Sequence, residues 1–292
     1  MNHHHDDAMT TKTVLVTGAT QGIGKATAIG LARMGARVAI VGRDRARSQQ
    51  AGRDIEAAGA SKGAGVDIFV ADLASQAQVR RLADQVMSRL PRLDVLINNV
   101  GGYWSTRHVT VDGFEHTFAL NYLAPYLLTR LLLDRMRDTG AARVVTVASN
   151  AQSQGRIDFA DLQGERSYSG ARAYSQSKLA NVMFTYELAR RVRTSSVTAN
   201  AVHPGVVSTG FGSEDPGHLQ RWLVPLIRPL MKDADQGAVT SIHVASSPDL
   251  DRVTGRYFAN GSPRRTSGAS YDLATTARLW QVSADLVGLP VA

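Results

Sequence analysis

The chain has 292 residues, 43% of them hydrophobic and 20% charged, enough to bury a full α/β core. It holds no cysteine, which excludes disulfides, thiolate metal sites and thiol nucleophiles. The formal charge is +8, but the basic residues are scattered. The short clusters Arg190-Arg191-Val192-Arg193 and Arg264-Arg265 come without aromatic interleaving or a helix-turn-helix pattern, so no nucleic-acid partner is expected.

Residues 1–10 open with Met1-Asn2-His3-His4-His5-Asp6-Asp7 and read as a disordered tail or tag remnant, its histidines no metal site. No charged-then-apolar leader follows, and no run approaches the ~20 apolar residues of a membrane span. A soluble cytoplasmic protein is expected. Residues 11–292 read as a single domain. Thr13–Thr17 is an apolar strand, and a helix over Gly22–Met34 ends at Gly35, which suits a C′ position. A second strand, Arg37–Val41, precedes a helix over Asp44–Ala58. A third, Val66–Ala71, precedes a helix over Ser75–Leu90 that breaks at Pro91. Leu93–Ile97 is the fourth strand. Asp112–Asp138 is predicted as one long helix, kinked at Pro125. Strand Ala142–Ala148, helix Ala171–Arg193, strand Val197–Val202, helix Asp233–Ala245, strand Gly255–Phe258 and a final helix over Tyr271–Val287 complete the pattern. Strands alternating with helices at this pace predict a Rossmann-type, doubly wound parallel sheet of about seven strands, with helices on both faces.

Two local patterns carry chemistry. Thr17-Gly18-Ala19-Thr20-Gln21-Gly22-Ile23-Gly24 is a glycine-rich turn between strand and helix. Glycine permits the tight turn and the close approach of backbone to a pyrophosphate, and the helix N-terminus supplies free N–H groups. Tyr174-Ser175-Gln176-Ser177-Lys178 puts a phenol and an ammonium one helical turn apart. An ammonium about 4 Å from the phenolate favours ionisation by up to about 4 kcal/mol at an effective dielectric near 20. That is expected to bring the Tyr174 phenol down from about 10 toward the working range of an acid–base catalyst. A hydride carrier beside a tunable proton donor predicts an oxidoreductase. The second strand runs into Gly42-Arg43-Asp44, where NAD sites place an acid for the ribose 2′-hydroxyl. Arg43 comes first here and can pair with a 2′-phosphate, while Asp44 reads as a helix N-cap, so NADP(H) is expected over NAD(H). The alternative for Arg43 is a solvated surface charge.

From about Thr13 to Val287 the chain resembles the short-chain dehydrogenase/reductase family. The glycine turn matches its cofactor turn (Gly18, Thr20, Gln21, Gly22, Ile23, Gly24), Asp72-Leu73 its adenine pair, and Asn98-Asn99-Val100-Gly101 its Asn-Asn-Ala-Gly, with valine for alanine. Within the family it is most similar to the retinol dehydrogenase group, on Leu93-Asp-Val-Leu-Ile-Asn-Asn99, Asp161-Leu-Gln-Gly-Glu165, Tyr174-Ser-Gln-Ser-Lys-Leu-Ala-Asn181, His203-Pro-Gly-Val-Val207 and the 25-residue step from Ser149 to Tyr174. The resemblance implies a catalytic tetrad of Asn121, Ser149, Tyr174 and Lys178. Tyr174 would be the general acid or base. Lys178 would lower its pKa and bond the nicotinamide ribose, Ser149 would hold the substrate oxygen, and Asn121 would hold a water leading to Lys178. It also implies cofactor contacts from Asn99, Gly101, Pro204, Gly205, Val207 and Thr209, with no metal. A homodimer or homotetramer paired through the outer faces of the two long helices is implied as well.

Ligands in such sheets bind beyond the carboxyl ends of the strands. Tyr103 and Trp104 are expected to line that crevice, and residues 212–232, with Trp222, read either as a lid over an apolar pocket or as a packed surface helix. His203 reads as structural. The expected activity is hydride transfer between a nicotinamide and a carbonyl or alcohol of a lipophilic small molecule. A non-catalytic NADP(H)-sensing regulator and a double-bond reductase on the same fold are the alternatives.

Overall fold

The computed structural model describes residues 9–63, 65–205, 215 and 233–291. In chain order the elements are β1 (Thr13–Thr17), α1 (Gly22–Arg33), β2 (Arg37–Gly42), α2 (Arg45–Gly59), β3 (Val66–Val70), α3 (Gln76–Arg89) and β4 (Val95–Asn98). A single turn His116–Phe118 and a π-turn Ala119–Leu123 lead into α4 (Ala124–Asp138). Then come β5 (Ala142–Val147), α5 (Gly170–Arg191), β6 (Val197–His203), α6 (Ala234–Ser246), β7 (Arg256–Ala259), β8 (Ser262–Arg264) and α7 (Leu273–Leu286).

The strands form one sheet in the order β3-β2-β1-β4-β5-β6-β7-β8. Every pairing is parallel except β7 with β8. The order reverses between β1 and β4, where Val14 sits level with both Val38 and Val95. That is the crevice position for a ligand in such a sheet. β8 was not expected. It is a three-residue, fully exposed strand reached through Asn260-Gly261, both at positive φ (51° and 71°). This Asn-Gly pair is a strong hairpin signal, although the polar strand behind it is too short to read.

Side-chain alternation splits the core. Val14 and Val16 of β1 face Leu31 of α1, Ile55 of α2 and Val244 of α6 in one layer. Leu15, between them, faces Leu82 and Val86 of α3, Leu127 of α4 and Met183 of α5 in the other. Both faces are covered, which is why the strands read as continuous apolar runs. Met9, placed in the tail by the sequence reading, belongs to the first layer and donates its N–H to the Met34 carbonyl at 3.3 Å.

One expectation is corrected. The long helix does not begin at Asp112. Val109 bridges Glu115 there, and the Glu115 carboxylate caps the new turn, accepting from Thr117 N at 2.8 Å and Phe118 N at 2.7 Å. Pro125 falls at the start of α4, and the π-turn just before it takes up the irregularity expected as a kink. The long helices themselves are well covered within the chain. Every residue of α5 from Ser175 to Ala189 is buried within one chain. The chain's own α7 covers the groove between α4 and α5: Trp280 stacks on Phe184 with centroids 6.0 Å apart, and the Tyr126 hydroxyl donates to the Trp280 carbonyl at 3.2 Å. Among the described residues no helix is long and apolar enough to cross a membrane.

Candidate active site

The glycine turn follows β1 directly. Gly18 and Gly22 take positive φ, 64° and 55°, which a side chain would strain. A Cβ on Gly24 would lie 2.4 Å from the Gly18 carbonyl oxygen, so the first turn of α1 closes against the loop only because position 24 is bare. Asn99, just past β4, locks the turn by donating to the Thr17 and Gly18 carbonyls at 2.9 and 3.1 Å. The Thr17 hydroxyl accepts from the Asn99 and Val100 N–H groups at 3.0 and 3.1 Å. The N-cap residue Gln21 makes no side-chain cap bond to α1, so the helix's leading N–H groups are available to an anion.

This turn forms one end of a cavity of about 930 Å³ along the carboxyl ends of the strands. The lining includes Gly18, Thr20, Gln21, Gly22, Ile23 and Gly24, and also Arg43, Asp72, Leu73, Asn99 and Gly101. Tyr103, Trp104, Ser149, Tyr174, Lys178, Pro204 and Gly205 line it as well. Val207, Thr209, Trp222 and residues 212–232 lie outside the described residues. Asp44 caps α2, accepting from Arg47 N at 2.7 Å, as its sequence position suggests. Asp72 closes its own turn by accepting from Ala74 N at 3.0 Å. His203 ends β6 at the cavity wall, and the described residues hold no cluster suited to a metal.

Ser149 follows β5 and accepts from Ala151 N at 3.2 Å, and Tyr174 stands near the start of α5 with the Ser149 hydroxyl close enough to favour its ionised form. Lys178, one turn on, is buried, donates to the Val147 carbonyl at 3.0 Å and lies 5.6 Å from the Tyr174 ring centroid. Burial pushes the Tyr174 phenol up to about 12 against the opposing pull of Ser149, and pushes the Lys178 ammonium down to about 8. The expected depression of Tyr174 by Lys178 is therefore not what this structure displays. Desolvation dominates both groups, and the ammonium is directed to a backbone carbonyl.

Asn121 does not line the cavity; it stands behind it. Its side chain spans Gly102, accepting from the N–H at 2.8 Å and donating to the carbonyl at 2.9 Å. A Cβ on Gly101 would lie 3.2 Å from Asn121 Oδ1 and 3.5 Å from Lys178 Nζ, so both side chains converge behind that glycine.

Sequence reasoning missed several lining residues, among them Arg47, Gly102, His116, Leu120 and Asn150. His116 and Leu120 are four apart, a helical spacing that marks one face, and Arg47 is four beyond Arg43. Asn150 carried no local signal. It is held by the Tyr257 hydroxyl at 3.0 Å, from a strand 107 residues away.

A family model for short chain dehydrogenases matches residues 12–218. Mouse retinol dehydrogenase 14 is 41% identical over 295 residues, covering 95% of this chain and 86% of its own. Human retinol dehydrogenase 13 is 39% identical, covering 95% and 85%. An uncharacterised protein from Mycobacterium paratuberculosis superposes with a TM-score of 0.79 at 35% identity, over 97% of this chain and 96% of its own. With the parallel sheet, the glycine turn at its switch point and the Tyr174–Lys178 helix in one cavity, the chain belongs to the short-chain dehydrogenase family of nicotinamide-using oxidoreductases and resembles its retinol dehydrogenase group.

Proposed function

We propose that the protein is an NADP(H)-dependent oxidoreductase acting on a carbonyl or alcohol of a lipophilic small molecule. One observation carries the reading: Ser149 and Tyr174, with Lys178 beside the phenol, open into the same cavity as the glycine turn. The turn suits a dinucleotide, because a Cβ on Gly24 would fill the space the backbone needs. Gly18 through Gly24 would hold the pyrophosphate, Asp72 and Leu73 the adenine, and Arg43 with Arg47 the 2′-phosphate. Asn99, Gly101, Tyr174, Lys178, Pro204 and Gly205, together with Val207 and Thr209, would hold the nicotinamide side. When bound, the cofactor supplies or accepts the hydride.

The chain's own groups handle the oxygen. Ser149 Oγ donates to the substrate carbonyl oxygen and steadies the charge that develops there. Tyr174 Oη delivers its proton to that oxygen and, in alcohol oxidation, takes it back. With its phenol pushed up to about 12, Tyr174 carries its proton at neutral pH, the form that donates in carbonyl reduction, and burial alone makes it the weaker acid. Lys178, near 8, is still largely charged at neutral pH and favours the phenolate left after transfer. Asn121 fixes the Gly102 backbone beside Lys178. The relatives' name and the aromatic residues Tyr103 and Trp104 support a lipophilic substrate.

Assay of retinal and of simple lipophilic aldehydes with NADPH tests the reading. Tyr174→Phe is expected to lower kcat by roughly 10²–10⁴ with NADPH still bound. Retained turnover in that variant, or better turnover of sugars and hydroxy acids, overturns it.

A further inference from the structure

The substrate end of the cavity contains a wall that the tetrad does not explain. Trp104 is large, lines the cavity and is only 7% exposed. Its indole lies directly on Gly102: a Cβ there would fall 2.4 Å from Cη2 and 2.8 Å from Cζ3. The ring meets His116 edge-on, with centroids 4.3 Å apart. Its backbone is fixed as well. The Trp104 carbonyl accepts from the Tyr168 hydroxyl at 3.2 Å, and a Cβ on Gly170, at the head of α5, would lie 2.3 Å from that carbonyl oxygen. Gly102 is itself held on both polar atoms by Asn121. The neighbouring Tyr103 packs edge-on to Tyr174, with centroids 6.0 Å apart.

An aromatic ring backed by a bare backbone, met by a second ring and pinned through its own carbonyl cannot retreat to admit bulk. We propose that Gly102 and Trp104 act together as a specificity-determining pair. Gly102 is the seat and Trp104 the wall, and the pair admits carbonyl compounds that are flat beside the carbonyl and rejects those puckered or branched there. This rests on the proposed carbonyl chemistry. The selectivity belongs to position 102 as much as to the tryptophan: adding one methyl at 102 unseats the indole and should mimic its removal.

The test compares 2-naphthaldehyde with its saturated decahydro analogue, the same skeleton flat and puckered. The kcat/KM ratio is measured with NADPH in wild type, Trp104→Ala and Gly102→Ala, with a cooperative thermal melt showing that each variant is folded. Wild type is expected to favour the flat aldehyde at least about tenfold, within the reach of pocket-shape discrimination. Both variants are expected to bring the ratio within about threefold of unity. An indifferent wild type overturns the proposal, and so does a folded Gly102→Ala that keeps the wild-type ratio while Trp104→Ala loses it. If Gly102→Ala does not fold, Trp104→Ala decides alone: a folded Trp104→Ala that keeps the wild-type ratio overturns the proposal. If wild type turns over neither aldehyde, the proposed chemistry has failed. The wall is then read by saturation-transfer NMR of the two aldehydes on the protein with NADPH: flat-selective binding lost in Trp104→Ala upholds it, and equal binding in wild type overturns it.

Discussion

Asn181 donates its side-chain amide to the Asn121 carbonyl at 3.0 Å, and that carbonyl is the one Pro125, four residues on, has no N–H to satisfy. The proline, the π-turn and the amide from α5 form one arrangement. It releases a backbone acceptor beside Lys178 and re-engages it from a second helix, and so aligns the Asn121 and Tyr174 helices.

Asn181→Ala leaves that buried acceptor unsatisfied and is expected to cost about 1–3 kcal/mol. Urea denaturation measures it. Because the Asn121 side chain also positions Gly102, kcat should fall in the same variant. Wild-type stability and wild-type kcat together would contradict the role given to Asn181.

The buried lysine gives a signed pH dependence. Unfolded, Lys178 keeps its proton to about 10.5; folded, it loses it near 8. Below pH 8 the penalty of a buried charge is fully present. Between 8 and 10.5 the unfolded state binds more protons, so stability rises with pH. Relative to Lys178→Met, wild type should gain about 2 kcal/mol of unfolding free energy between pH 7.5 and 9.5. Tyr174 acts in the opposite sense and higher up: folded, it stays protonated to about 12, so its contribution is lost as pH rises from 10 toward 12. A flat difference between wild type and Lys178→Met would show that Lys178 titrates normally.

Trp280 anchors α7 over the long helices. It is 2% exposed, and the Arg191 guanidinium lies 4.6 Å above its ring. Trp280→Ala is expected to cost about 3–5 kcal/mol in urea denaturation, the range for a large buried aromatic. A loss under about 1 kcal/mol would show that α7 is a loose appendage and that the faces of α4 and α5 can be uncovered.

The order of strands and helices was legible because period and punctuation agree at several elements: Gly35 after α1, Asp44 as the cap of α2, Pro91 after α3. The glycine turn and the Tyr174–Lys178 spacing were legible because their chemistry is local. What could not be read depends on distant partners. Burial, which moves Tyr174 and Lys178, is set by the packed cavity, and Asn150 is held by Tyr257. The cover over α5 is supplied by α7, whose apolar side was visible in the sequence without showing which groove it fills. Gly102 sat unremarked because its role lies in an indole two residues away folding back onto it.

In the proposed nicotinamide site, Arg43 and Arg47 would select the 2′-phosphate. The most direct measurement is a fluorescence titration of NADPH against NADH in wild type, Arg43→Ala and Arg47→Ala. NADPH is expected to bind at least about tenfold tighter than NADH in wild type, about 1.4 kcal/mol, with most of that margin lost in Arg43→Ala and part of it in Arg47→Ala. NADH binding as tightly as NADPH would contradict the cofactor assignment, and failure of both to bind would contradict the enzymatic reading itself.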